Sequence, residues 1–211
     1  MSLICACPPA TAITAITLDN CEEYFGQIQR AFFQRTKSSS TTNVITIAST
    51  NPNLLATWTD LKAATDSTKV VTGPKFGSFI LDEPGPREQG SGNEVPGGIP
   101  ISLGNNPSTA TGRFINISQA SAESIKLLRC ERKNTSVFLI TESGLILGLG
   151  NTVSSPTTFR GIPIRSLFIG DKFLGGFDGY DYNPFSWRFL PEWSSTLYAV
   201  TPSDFDALED L

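Results

Sequence analysis

The residues best suited to chemistry are a few acids in turn-like settings. Asp178 and Asp181 flank Tyr180, and Asp82-Glu83 closes a run of strand-forming residues. Two neighbouring carboxylates can hydrolyse a glycosidic bond when burial raises the pKa of one. The DGYD segment could also offer oxygens to calcium, but it lacks the ligand count of a calcium loop. Asp, Gly and Asn are equally what tight turns require, so the segment reads first as a solvated turn. The chain contains no His. That removes Ser–His and Cys–His nucleophiles and the commonest general base and metal ligand. Cys5, Cys7, Cys21 and Cys130 match no common zinc spacing and read as free thiols in a reducing compartment. Gly148-Leu149-Gly150 begins like a dinucleotide fingerprint, but Val153 stands at the third glycine position, in a hairpin context. The expectation is a protein that is not an enzyme, with no cofactor and no metal.

Composition narrows the remaining classes. The chain has 211 residues, 39% hydrophobic and 17% charged, enough for a substantial core in one large domain or two small ones. Fourteen Phe, among many Thr, Ser, Ile and Val, favour β structure. The net charge is −4, with Asp204, Asp206, Glu209 and Asp210 near the end, and no basic stripe suited to gripping phosphates. RCERK (129–133) is the densest basic spot. No apolar run reaches the ~20 residues of a membrane helix. The opening residues lack a basic n-region and meet Pro8-Pro9, so they do not read as a signal peptide. The Asn116 and Asn134 sequons then carry no sugar.

The elements that would position any site are β-rich. FGQIQRAFFQR (25–35) reads as a strand with two mixed faces, and 44–48 as a short one. Asn51 and Pro52 punctuate the start of a helix over 52–64, with Leu54, Leu55, Trp58 and Leu61 as its stripe. Strands follow at 75–83 and 111–118, then a helix at 119–133 capped by Ser118 or Ser121, burying Ala122, Ile125 and Leu128. Residues 136–150 form a hairpin turning at Glu142-Ser143-Gly144, apolar on both faces and therefore central. Strands at 161–176, 185–190 and 195–200 complete the pattern, with 177–184 as a turn carrying exposed aromatics.

Residues 84–108 interrupt this order. Eleven of these twenty-five residues are Gly or Pro. A connection this long without structure is unusual inside a compact domain and is usually functional or disordered. It reads as an arm that orders against a neighbouring subunit. Residues 1–20 read as an extended N-terminal arm, and 21–211 as one β-rich domain. The inter-subunit contact candidates are Arg87, Glu88, Glu94, Val95, Ile99, Ile101 and Leu103 in the arm, with Tyr180, Tyr182, Trp187 and Trp193 beyond it. These last four, with Phe185, could instead stack sugars, which leaves a carbohydrate-binding or adhesin module open.

The FGQIQRAFFQR strand, the Trp-bearing helix, the Gly/Pro-rich arm, the single sheet-packed helix and FSWRFLPEWSSTLYAVTPSDFD (185–206) together resemble structural proteins of tailed bacteriophages, with phages of Bacteroides-type hosts nearest. Within that group the texture is closest to tail tube (major tail) proteins. The resemblance implies a β-sandwich or barrel with a flanking helix and a long extended loop. It implies hexameric rings that stack into a conduit for DNA, and contacts with other virion proteins. DNA would pass without specific binding. The protein would be assembled in the host cytoplasm and carried in the virion tail, away from membranes. A head–tail adaptor, neck or capsid-associated role stays open. The strand at 25–35 is a candidate for lining the lumen, although Arg30 and Arg35 do not suit an acidic channel.

Overall fold

The computed structural model describes residues 25–90, 98, 100–131, 133–177 and 179–211. The N-terminal arm, with Cys5, Cys7 and Cys21, lies outside them. The strands are β1 (Ile28–Arg35), β2 (Lys37–Ser38), β3 (Thr41–Thr42), β4 (Ile45–Thr46), β5 (Val70–Thr72), β6 (Phe76–Leu81), β7 (Pro86–Gln89) and β8 (Ile101–Asn105). They continue as β9 (Thr109–Ile115), β10 (Thr135–Thr141), β11 (Ile146–Gly150), β12 (Thr158–Arg160), β13 (Ile162–Ile169), β14 (Tyr182–Phe189) and β15 (Leu197–Val200). Helix α1 is Leu55–Ala63 and α2 is Gln119–Leu127.

One large antiparallel sheet organises the protein. From β1 it runs through β10, β13, β14 and β9 to β6. It curls far enough that β6 packs beside β1, giving a barrel-like body. At β10 the sheet forks: the second branch carries β11, flanked by β15 and β12, with β4 outermost.

The fork explains why the central strands are apolar on both sides. Successive side chains of a strand point to opposite faces. Ala31, Phe33, Val137 and Leu139 enter one core with Phe114, Ile164, Phe185 and Trp187. Phe32, Phe138, Ile140 and Ile146 enter a second core with Trp58, Phe159 and Val200. Every residue of β10 and β11 is buried, as the hairpin's apolar pattern requires. Gly144 in its turn takes φ +80°, a conformation natural to glycine.

The lumen expectation for residues 25–35 is corrected. Strand β1 has β10 on one edge and β5 on the other, and its faces feed the two cores. Arg30 is half-buried and structural: Nε donates to the Gly73 carbonyl at 2.8 Å and Nη1 to that of Leu208 at 3.0 Å. Burial pulls its pKa down, opposed by the charge of Glu209. Arg35 reaches Glu131 at 2.6 Å.

The two helices also differ from expectation in detail. Asn51 does not cap α1; its Oδ1 accepts from the N–H of Asn53 in a turn before the helix. The first helical N–H, that of Leu55, donates instead to Asp204 Oδ1 at 2.9 Å, from far along the chain. Asp204→Ala should therefore cost about 1 kcal/mol of stability in urea unfolding. Helix α2 is capped by Ser118 as expected, and ends at Leu127 in a 3-10 turn over Leu128–Glu131.

Gly148 serves packing rather than phosphate. A Cβ there would stand 2.6 Å from the Phe159 ring and 2.7 Å from the Arg160 carbonyl oxygen. The ring can shift but the backbone oxygen cannot. Gly148→Ala should destabilise by roughly 1–3 kcal/mol, read in a urea titration.

Candidate assembly interface

The segment expected to lack structure is instead a β-hairpin where it is described. The β6–β9 ladder ends at Leu81↔Ala110 and continues outward: the Asp82 N–H donates to the Thr109 carbonyl, and the Asn106 N–H to that of Gly85. Strands β7 and β8 then pair from Pro86↔Asn105 to Gln89↔Ile101. The arm is thus an extension of the barrel's own β6–β9 hairpin. All four residues of β7 and all five of β8 are exposed. Ile101 is 39% and Leu103 49% exposed; two apart on a strand, they share a face. An isolated two-stranded hairpin is marginal in water. Within the described residues this one carries its apolar side chains uncovered.

Arg87 and Glu88 lie on β7, exposed. Glu94, Val95 and Ile99 lie outside the described residues. The aromatic candidates separate. Tyr180 is 71% exposed. Tyr182 is half-buried as the first residue of β14, so the expected turn over 177–184 gives way to strand there. Its ring lies 4.8 Å from that of Phe173, and the Arg113 guanidinium stands 4.5 Å over it.

Trp187 is corrected as a contact candidate. It is 1% exposed, stacked on Phe185 at 4.9 Å and edge-on to Phe33 at 6.1 Å. Trp193 is partly buried against the same core, stacked on Phe189 at 4.7 Å, and its Nε1 donates to Ser108 Oγ. These two indoles therefore hold the barrel together. They offer no open platform for a sugar ring, which leaves the carbohydrate reading with the tyrosines.

The acids divide in the same way. Asp178 lies outside the described residues. Asp181 Oδ1 accepts from the Gly175 N–H at 3.1 Å and so pins the 173–182 loop. Asp82 and Glu83 sit exposed at the root of the arm.

Sequence reasoning passed over the surface beside this loop. Phe168 is 50%, Phe173 54% and Leu174 71% exposed, and Phe177 is fully exposed. With Ile80, Thr111, Arg113, Lys172, Tyr182 and Pro184, the first two line a groove of about 820 Å³ on the outer face of β6, β9 and β14. Asp171 at its rim meets Lys126 at 3.0 Å. The pKa of Lys126 is raised by its hydrogen bonds, first with Asp171 and then with Glu123. The available signal was a Gly-punctuated run, GDKFLGGF (170–177), with three large apolar residues and no strand alternation.

No family model matches the chain, and no curated protein matches it. Among solved structures it is similar to a chain described as "Virion of native gene transfer agent (GTA) particle". The identity is 10% and the TM-score 0.33, over 63% of this chain and 89% of that one. A likeness of that size carries no argument about function. Among the described residues no helix is long and apolar enough to cross a membrane.

Proposed function

We propose that this protein is a virion structural subunit whose work is self-assembly, and that it builds the tail tube as stacked, hexameric rings. The observation that carries the reading is the β7–β8 arm, a paired hairpin projecting from the barrel with Ile101 and Leu103 uncovered. An exposed strand pair with apolar side chains is a liability for a lone molecule and a natural seam for an assembly. A net charge of −4 suits a wall past which DNA slides, because clustered cations would hold its phosphates. Other virion proteins would meet the ends of such a tube, assembled in the host cytoplasm.

A neck or head–tail adaptor is the second reading, since the same arm could close a single ring. Negative-stain electron microscopy of the purified protein separates them. Open-ended tubes of varied length are expected. Uniform single rings would move the assignment to the neck, and monomers at every concentration would overturn both.

A further inference from the structure

We propose that the groove on the outer face of β6, β9 and β14 is the seat for the β7–β8 arm of a second copy of this chain. The inference rests on the reading of the protein as an assembling subunit and names the contact that would join two copies.

Three observations converge on this occupant. First, arm and groove are both apolar and both uncovered: Ile101 and Leu103 on one side, Ile80, Phe168 and Phe173 on the other. Second, the chain's own arm cannot fill its own groove. The arm leaves the barrel as a paired extension of β6 and β9, while the groove lies further down those strands, at Ser78, Ile80, Thr111 and Arg113. Reaching back would break the ladder at Asp82–Thr109. Third, the charges are complementary. The arm and its root present Asp82, Glu83 and Glu88 against Arg87, all exposed. The groove is lined by Arg113 and by Lys172, whose Nζ donates to the Ile117 carbonyl, and its one acid, Asp171, lies exposed at the rim and paired with Lys126.

Such a contact is heterologous, because each copy gives one surface and receives on another. Repetition closes a ring where the rotation allows it and otherwise grows a filament. The groove would thus set the direction of assembly.

Cysteine cross-linking tests the seat directly. All native cysteines are first replaced by Ser. Leu103→Cys in one copy and Phe168→Cys in another are mixed under mild oxidation; both positions are about half exposed, so folding is little disturbed. Val153→Cys, 70% exposed on another loop, replaces Phe168→Cys as the control. The expected result is a covalent 1:1 dimer formed well above the control. Adding Arg113→Glu to the groove copy should lower the yield about tenfold, through like-charge opposition to the arm. Assembly by the parent protein without cross-linking above the control would overturn the groove and leave the assembly reading standing. Cross-linking with no tubes in the parent would support the groove and refute the tail tube. Absence of both would overturn both.

Discussion

Replacing Pro86–Asn105 with an Asn-Gly turn leaves a folded monomer that forms no tubes. The junction is compatible with that change, because the Asn106 N–H already donates to the Gly85 carbonyl at 3.0 Å and the chain ends stand side by side. Asn-Gly suits the twist of a two-residue hairpin. No buried residue is removed among the described ones, since every described strand residue of the arm is exposed. Stability should change by no more than about 0.5 kcal/mol, a shift of one or two degrees in Tm. Assembly should fall below detection in sedimentation velocity at concentrations where the parent polymerises. Tubes formed by the armless protein would refute the role given to the arm.

The second large effect belongs to the core on the other face of the sheet. Trp58 is fully buried, tilted against Phe32 at 5.8 Å and edge-on to Phe138 at 5.2 Å, and its Nε1 donates to the Pro52 carbonyl at 2.8 Å. Trp58→Ala removes the main side chain by which α1 holds the sheet, and leaves both a cavity and an unpaired carbonyl. The expected cost is about 3–5 kcal/mol in urea unfolding. At this chain length that lowers Tm by roughly 6–20 °C. Trp58→Phe keeps a ring in place and loses the hydrogen bond, so it should cost only about 1–2 kcal/mol. Equal losses in the two variants would mean that packing against Phe32 and Phe138 is not what α1 supplies.

The elements that could be read from sequence were those with a strong local pattern. The 136–150 hairpin announced its central place by being apolar on both faces of each strand, and Trp58 announced the buried face of α1. The short strand at 44–48 was legible, but β5 and β12 were not: they have three residues each, too few to show alternation. Their conformation comes from pairing with β1 and β11. The α1 cap was misassigned to Asn51 because the true partner, Asp204, lies at the other end of the chain. Tertiary contacts of that kind leave no local trace.

The arm's place in the chain was legible, and two of the four aromatic candidates, Trp187 and Trp193, belong to the core instead. Gly and Pro density marked the arm but hid its hairpin, since neither residue favours strands and the pairing is inherited from β6 and β9. Trp187 and Trp193 were grouped with Tyr180 by closeness in sequence. Strand alternation then sends Phe185 and Trp187 inward on β14, while Tyr180 stays outside before the strand begins. Phe168 falls within the strand expected over 161–176. A register shift between Arg165 and Phe168 against β14 turns its side chain outward into the groove.

The central claim is that the arm finds its cover only on another copy. Hydrogen exchange of the amides in β7 and β8, followed in dilute monomer and again in the assembled state, measures that directly. The account predicts exchange within seconds in the monomer, as for any exposed hairpin, and protection at least about 100-fold greater in the assembly. Amides of Arg87–Gln89 and Ser102–Leu103 already protected to the same degree in the dilute monomer would contradict it.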